Sequence, residues 1–471
     1  MNQRPIGYMD SGVGGLSVVK EALAQLPSES VIYFGDTARC PYGSRTEEEI
    51  EQYGREVAYY LLSKDIKALV IACNTVSSTS LLKELKKQLP IPVIGVIESG
   101  CQAALQASQN KQIALVGTEQ TVRSAAHQKY LQSKDKNVQV DALACPDWVQ
   151  LVESGDYHGE QAERIVHDSL AEFGNWEDDT LILACTHFPF LATVIEKQLP
   201  STVQIIDPSA ETIQELKRIL DEKQLTAPVD SQAFHQLYTS GDAGHFAYFV
   251  REWLGEDYSV THVSLGELAE TSPKLLIATH NPGKAREYQS LFSEWGYRVE
   301  TLLDYPDLPE VEETGTTFEE NALLKAETLS QYLGQMVIAD DSGLMVDALG
   351  GAPGIYSARY SGEPKDDQRN NRKLLQELEN VPESERTAHF HTTIVAVAPG
   401  KKTLIVQGEV DGVILKAASG ANGFGYDPLF YVPECGQTMA EMPAEQKNKI
   451  SHRARAFEEL KKKFPQWLAN N

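Results

Sequence analysis

Two cysteines stand in matching settings. In "VIACNTVSS" (70–78), Cys73 closes an aliphatic run and is followed by Asn74 and Thr75; in "LILACTHFPF" (181–190), Cys185 closes a similar run and is followed by Thr186 and His187. A thiol serves as a base only as thiolate, which at its ordinary pKa of about 8.5 is a few per cent of the population at pH 7. It therefore needs a helix N-terminus, a cation or a polar partner beside it. His187 is one such partner. The glycine-rich turn of "MDSGVGGL", which carries Asp10 and Ser11, is another, and "ARCPYGSR" supplies Tyr42 and Gly43 from a loop. Two such thiols on opposite faces of one carbon can take a proton from one side and deliver one from the other, inverting a stereocentre without a cofactor. Taken singly, a cysteine after a strand is most often a small buried hydrophobe, so the pairing carries the reading.

A second set of residues lies beyond position 273. "ATHNPGK" (278–284) presents Asn281, Gly283 and Lys284 at a strand-to-helix turn, where backbone N–H groups, a lysine and a helix N-terminus suit a phosphate. "VEETG" offers Glu312 and Glu313, and "IADDSGL" ends a strand with Asp340, Asp341 and Ser342. Clustered carboxylates at strand ends suit Mg²⁺, a hard cation that favours oxygen ligands and phosphate and activates water for in-line attack. "GFGYDP" brings Phe424, Gly425, Tyr426 and Asp427 for base stacking and base edges, and "QKNKISHR" adds Lys447, His452 and Arg453. Each of these alone has a plainer reading: a turn or cap for "DDSG", a solvated helix face for "HR".

The elements that must position these groups follow from periodicity. "SVIYFGD", "ALVIACN", "PVIGVIES", "QIALVGT" and "TLILACT" read as strands buried on both faces. Helix-period segments lie between them; one opens with a capping box, Thr46 with Glu49, and repeats Ile50, Val57, Tyr60 and Leu61 near helical spacing. This alternation predicts a largely parallel α/β domain over 1–265, and the doubled cysteine setting predicts two lobes facing each other, with ligands at the strand C-terminal ends. "LGELAETSP" reads as a linker, assigned to 266–273. From Lys274 the pattern restarts with strand "KLLIATHN" and a helix carrying Tyr288, Leu291, Phe292 and Trp295, stopped by Gly296. A helix capped by Thr317 with Glu320 precedes strand "QMVIADDSG". "AHFHTTIVAVAPGKKTLIVQGEVDGVIL" reads as antiparallel strands joined at Pro399-Gly400, so 274–471 has a mixed sheet.

The bulk numbers bound the partners. At 471 residues the chain is too long for one core. Net charge is −25, divided as −17 over 1–273 and −8 over 274–471. Neither half offers the basic face that a nucleic-acid polymer requires, so small molecules are expected. No apolar run approaches a membrane span, the first residues lack a signal-peptide core, and the six cysteines form no CxxC pair. A cytoplasmic protein is expected.

"DSGVGGL", "CPYG", "ACNT" and "ACTH", in that order over about residues 5–265, resemble the glutamate racemase family of cofactor-independent racemases. Ala184 and Phe188 stand where many of that family have Gly and Tyr, and neither is a reacting group. The resemblance implies a pair of pseudo-symmetric Rossmann-like α/β lobes, with Cys73 and Cys185 as the acid/base pair that interconverts L- and D-glutamate without PLP. Asp10 and His187 would assist the adjacent thiols. Ser11, Tyr42, Gly43, Asn74, Thr75 and Thr186 would hold the substrate with Asp10 and His187, and Glu153 is a further acidic residue of the site. D-glutamate would go into peptidoglycan.

"THNPGK", "ADDSGL", "FGYDP" and "ISHR", spread over about 274–468, are similar to the inosine triphosphatase family, which hydrolyses ITP, dITP or XTP to the monophosphate and pyrophosphate. The resemblance implies Asp341 as water-activating base and Mg²⁺ ligand, with Glu312 as the second metal contact; the choice between Glu312 and Glu313 stays open. Thr279, His280, Asn281, Pro282, Gly283, Lys284, Lys447 and Arg453 would hold phosphates. Ser342, Phe424 to Asp427 and His452 would bind the nucleoside. A homodimer is implied. Three alternatives stand for the first half: a racemase of aspartate or another acidic compound, a binding module without catalysis, or a racemase regulated by the nucleotide half.

Overall fold

The computed structural model divides into two compact units, Met1–Ser272 and Pro273–Asn471. The structure describes residues 2–255, 258–271, 274–293, 297–305, 308 and 311–469; Trp295 and Gly296, expected to close a helix, lie outside these residues, as does the side chain of Leu291.

In chain order the strands are β1 (Ile6–Asp10), β2 (Val31–Gly35), β3 (Ala68–Ile71), β4 (Val93–Gly95), β5 (Gln112–Gly117), β6 (Gln139–Ala144), β7 (Thr180–Ala184), β8 (Gln204–Ile206), β9 (His235–Thr239), β10 (Val260–His262), β11 (Lys274–Ile277), β12 (Arg298–Thr301), β13 (Val337–Val346), β14 (Thr387–Val397), β15 (Leu404–Ile414), β16 (Phe430–Val432) and β17 (Gln437–Thr438). The first unit holds two parallel sheets, in the orders β10-β9-β2-β1-β3-β4 and β6-β5-β7-β8. The order β2-β1-β3-β4 in one is repeated as β6-β5-β7-β8 in the other. Cys73 follows β3 and Cys185 follows β7, so the matched cysteines occupy equivalent places in a duplicated frame.

β1, β2, β3 and β7 are buried at every residue. Alternate side chains fall on opposite faces, as strand geometry requires: Ala68 and Val70 join one cluster while Leu69, Ile71 and Cys73 join another. The first of these clusters also takes Ala114 and Val116 of β5, and Leu181, Leu183 and Cys185. One continuous core thus ties the two sheets together. The capping box at Thr46 and Glu49 forms, and Ile50, Val57, Tyr60 and Leu61 are buried.

Two expectations are corrected. In "PVIGVIES" only Val93–Gly95 is strand; Val96–Ala107 is helix. The region assigned to a linker contains the helix Leu265–Glu270, which has a reciprocal capping box between Ser264 and Glu267 and a fully buried Leu268. The S-x-x-E signature for that box was present in the sequence and outweighs the small, polar composition.

The second unit is one mixed sheet in the order β12-β11-β13-β14-β15-β16-β17. β11 is parallel to β12 and β13, and the remaining pairs are antiparallel. The β14–β15 hairpin turns at Pro399-Gly400, with Gly400 at φ +74. One face packs Leu275, Ile277, Ile338 and Ile394 with Tyr288 and Phe292 of the helix Pro282–Ser293 and with Phe457 and Leu460 of the helix His452–Ala469. The other packs Leu276, Val337, Ala339 and Val395 on Ala322, Ala326 and Leu329 of the helix Phe318–Leu333. Thr317 caps that helix, while Glu320 reaches back to Thr316 instead of Thr317. Among the described residues no helix is long and apolar enough to cross a membrane.

Candidate active sites

In the first unit, the turn after β1 is organised by Asp10. Its carboxylate accepts the N–H groups of Gly12 (3.1 Å) and Gly15 (3.0 Å), and the hydroxyl of Thr186 from the other sheet (3.1 Å). The turn must be glycine-rich because the second sheet comes so close: a Cβ on Gly14 would lie 2.5 Å from Thr186 Oγ1 and 2.7 Å from His187 Nδ1. A second contact crosses in the equivalent place, Thr75 Oγ1 to Thr118 Oγ1 at 3.0 Å.

Cys73 and Cys185 line one cavity of about 10 Å³ between the sheets. Ser11, Tyr42, Gly43, Asn74, Thr75, Thr186 and His187 line it too, joined by Thr118, which sequence reading missed. Asp10 and Glu153 stand behind this wall. The Cys73 thiol donates to Ser11 Oγ at 3.7 Å, and burial pushes its pKa up to about 12, helped by the nearby Asp10 charge. The Asp10 hydrogen bonds go to the turn and to Thr186, and its charge disfavours a thiolate at Cys73. Cys185 Sγ lies 3.6 Å from His187 Nδ1, and His187 Nε2 lies 2.6 Å from Glu153 Oε1. Burial pulls the imidazole pKa down, but hydrogen bonds to Cys185, Cys40 and Glu153 outweigh it and raise the pKa well above the usual range. Burial likewise pushes Glu153 up, yet the His187 bond holds it below its ordinary value.

The Tyr42 hydroxyl is engaged by Asp36, which also accepts from Arg39 (2.7 Å) and Ser240 (2.6 Å). Tyr42 therefore lends its ring to the wall while its hydroxyl anchors the loop. Asn74 is 3% exposed and its Oδ1 has no partner among the described residues. Among the described residues no lysine or arginine lines the cavity.

The second unit holds a larger cavity, about 520 Å³. Thr279, His280, Asn281, Pro282, Lys284, Asp341, Ser342, Phe424, Gly425, Tyr426, Asp427, Lys447, His452 and Arg453 all line it. Two residues singled out in sequence do not. Gly283 packs behind the Phe424 ring, where a Cβ would approach to 2.9 Å. Glu312, expected as the second metal contact, is exposed and outside the wall; its neighbour Glu313 is half-buried and lines it. The chain alternates sides there, so one residue of register decides which carboxylate faces inward.

Asn281 Oδ1 accepts from Gly283 N (2.8 Å) and Lys284 N (3.2 Å), capping the helix it precedes. Lys284 Nζ reaches Asp340 at 2.9 Å, with Arg453 at 3.6 Å from the same carboxylate. Burial works against that charge, but Lys284, Arg453 and Lys325 hold Asp340 far below the usual carboxylate range. Asp341 is different: burial raises its pKa, Asn321 donates to it at 3.0 Å, and Lys325 stands 3.9 Å away. Glu313 pairs with Lys325 and Arg359, each at 3.1 Å. Lys447 bridges Asp427 (2.8 Å) and Glu287 (3.1 Å), and Phe424 lies over both Lys447 and Arg453. His452 stacks on Phe390 with ring centroids 4.9 Å apart; burial, then Arg453 and Lys447, push its pKa well down, so the ring is neutral. Lys325, Asn321 and Glu287 were given no role in the sequence reading, although Asn321 and Lys325 fall within the stretch "EETGTTFEENALLKA" that resembles the inosine triphosphatase family. Lys325 lines the cavity, Asn321 acts on it through Asp341, and Glu287 through Lys447 and Arg453.

The Asp/Glu/Hydantoin racemase family profile matches residues 6–216, and the Ham1 family profile matches residues 275–463. Over 271 residues the chain is 47% identical to a glutamate racemase of Carnobacterium sp., covering 56% of this chain and 100% of that one. Over 189 residues it is 58% identical to a dITP/XTP pyrophosphatase of Listeria monocytogenes, covering 40% of this chain and 93% of that one. Glutamate racemase isoform RacE1 of Bacillus anthracis, a solved structure, aligns with TM-score 0.54 at 38% identity, over 56% of this chain and 99% of that one.

Proposed function

Since the chain belongs to the glutamate racemase family through its first half and to the Ham1 family through its second, and is both an isomerase and a hydrolase, we propose that the first half interconverts L- and D-glutamate by a two-thiol mechanism. The observation that carries this is the convergence of Cys73 and Cys185, from equivalent strands of two sheets, on one cavity. One sulfur, as thiolate, takes the Cα proton. The other, as thiol, gives its proton to the opposite face. Cys73, buried and beside Asp10, rests as a thiol. His187 passes a proton to or from Cys185, held in place by Glu153. The Asn74 side-chain N–H groups, the hydroxyls of Ser11, Thr75 and Thr186, and nearby backbone N–H groups donate to the carboxylates. The thiols need no PLP for this chemistry. A cavity of about 10 Å³ has room for roughly one water molecule, so glutamate enters when the sheets part at the Thr75–Thr118 and Asp10–Thr186 contacts. The D-glutamate formed serves peptidoglycan assembly.

The test is proton–deuterium exchange at Cα of both enantiomers in D₂O, followed by NMR without added cofactor. Exchange with both, abolished in Cys73→Ser and in Cys185→Ser, is expected. Racemisation at the native rate by Cys73→Ser would sink the mechanism.

For the second half we propose hydrolysis of ITP, dITP and XTP to the monophosphate and pyrophosphate. The carrying observation is the 520 Å³ cavity whose wall brings together the carboxylates Asp341 and Glu313 and the cations Lys284, Lys447 and Arg453. Its donor set fits a magnesium ion held by one or two carboxylates, with substrate phosphates supplying further oxygens. Asp341 and Glu313 would hold it, and when bound it would neutralise phosphate charge. Asp341, with a pKa raised by burial, accepts the proton of a water attacking the α-phosphorus as the bond to the pyrophosphate oxygen breaks. Lys284 and Arg453 hold the phosphates. Neutral His452, whose Nδ1 has no partner among the described residues, meets the base edge beside Tyr426 and Phe424. Pyrophosphate release from ITP, compared with ATP and GTP, tests this; an Asp341→Asn protein that hydrolyses ITP at the native rate would remove Asp341 from its role.

A further inference from the structure

Cys40 belongs to no step above, yet its sulfur completes a cluster. Cys40 Sγ, Glu153 Oε1 and His187 Nε2 lie within 4.8 Å of one another. The thiol donates to Glu153 Oε1 at 3.3 Å, and His187 Nε2 stands 2.6 Å from the same oxygen. We propose that these three side chains bind a transition-metal ion of the zinc class, at a site that adjoins the substrate cavity and shares His187 with its wall.

The geometry suits such an ion. Zinc bonds of about 2.0–2.3 Å to nitrogen, oxygen and sulfur bring the ligand atoms themselves to separations of a few ångströms, as here. The three ligands come from separate segments: the loop after β2, the helix Pro146–Ser154 and the turn after β7. They converge on Gly12, where the position of an absent side chain lies 2.2 Å from Glu153 Oε1, 2.9 Å from Cys40 Sγ and 3.2 Å from His187 Nε2. Any other residue at position 12 would fill the place where the three atoms meet. The far side of the imidazole already has its partner, Cys185 Sγ at 3.6 Å from Nδ1, the outer contact that orients a metal-bound histidine. Val13 N–H, 3.2 Å from Glu153 Oε1, steadies the carboxylate in the same way.

The donor set selects the metal. A thiolate, an imidazole and one carboxylate favour zinc, cobalt or copper over magnesium and calcium, which take oxygen. On binding, the Cys40 proton and the Nε2 proton of His187 leave to solvent, and the thiolate and carboxylate balance a divalent ion. His187 is then neutral, with Nε2 on the metal and its hydrogen on Nδ1 pointing at Cys185. That fixes the proton that His187 must move, so occupancy arrests racemisation and leaves nucleotide hydrolysis untouched. This consequence rests on the His187 role proposed above; the binding site does not.

Cobalt is the probe, because a Co²⁺–thiolate bond gives a near-ultraviolet charge-transfer band that oxygen ligands in the second unit cannot produce. Titrated into the full chain, Co²⁺ should produce this band at one equivalent, and Zn²⁺ should displace it. In Cys40→Ser the affinity should fall by at least about 10-fold, while Cys73→Ser and Cys185→Ser keep the band. Absence of a band in the native protein, or an equal band in Cys40→Ser, overturns the site. Zn²⁺ should inhibit racemisation over the same concentration range, and Cys40→Ser should resist. If the band is lost in Cys40→Ser but Zn²⁺ leaves native racemisation intact, the site stands and the His187 role falls.

Discussion

His127 is 2% exposed on the helix Ala126–Lys134, which packs on Val96–Ala107, and neither ring nitrogen has a partner among the described residues. Burial alone pushes its pKa from the ordinary 6.5 down to about 4. The unfolded chain therefore takes up a proton at His127 as pH falls through 6.5, while the folded chain does not until about 4. Between those values the unfolded state binds more protons, so stability falls with falling pH. With these two pKa values and 1.36 kcal/mol per unit, the loss from pH 7 to pH 5 is about 2 kcal/mol, and about 3 kcal/mol by pH 4. His127→Leu removes the titration. Its packing change shifts stability equally at all pH values, so it cancels when the comparison is made between pH values. Urea unfolding should be followed by the fluorescence of Trp148, Trp176 and Trp253, all in the first unit, at pH 7 and pH 5. The variant should gain about 2 kcal/mol on the native protein between the two conditions. An unchanged difference would mean that the ring finds a proton partner on protonation, and that the burial argument fails.

Glu313→Gln should lower ITP hydrolysis by about 10-fold or more and raise the Mg²⁺ needed, whereas the exposed Glu312→Gln should stay within about twofold; the reverse order would restore Glu312 as the inward carboxylate. Lys447→Met leaves Asp427 and Glu287 without their shared cation and should cost the second unit about 3–5 kcal/mol in denaturant unfolding. Asp36→Asn weakens the anchor shared by Arg39, Tyr42 and Ser240. The loop carrying Tyr42 and Gly43 then loosens, and KM for glutamate should rise about 10-fold, the loss of one charged hydrogen bond. His187→Asn should enlarge the primary isotope effect for one Cα-deuterated enantiomer and not for the other; equal effects would refute unequal proton routes.

The parts legible in sequence were those whose signal is local. Buried parallel strands such as β3 and β7 read as unbroken aliphatic runs because both faces are covered. The turn after β1 announced itself by glycines, and the structure gives the reason in the approach of Thr186 and His187 to Gly14. Edge strands did not announce themselves: β6 is largely exposed and mixes polar residues, and β8 and β10 have three residues each. Long-range partners were invisible as well. That Asp36 holds Tyr42, that Thr118 meets Thr75, and that Glu313 rather than Glu312 turns inward depend on how distant segments pack and on a single residue of register. Cys40 was counted but given no partner, because Glu153 and His187 lie 113 and 147 positions away in sequence.

The matched settings of Cys73 and Cys185 hide unequal chemistry. The frame is nearly twofold: equivalent strand orders, cysteines after equivalent strands, and two crossing contacts, Asp10–Thr186 and Thr118–Thr75, in equivalent places. Where one lobe ends its first strand in the carboxylate Asp10, the other places the hydroxyl Thr118. The proton partners differ in the same sense. Cys185 has an imidazole at 3.6 Å backed by a carboxylate, while Cys73 has the Ser11 hydroxyl at 3.7 Å and the Val76 N–H. A racemase does not need equal bases. The two enantiomers have equal free energy, so kcat/KM in the two directions must be equal however unequal the proton transfers are. Selection for turnover therefore places no demand on symmetry at the sulfurs, only on both being reachable from one carbon. The duplicated frame meets that demand, and the surrounding side chains are free to diverge.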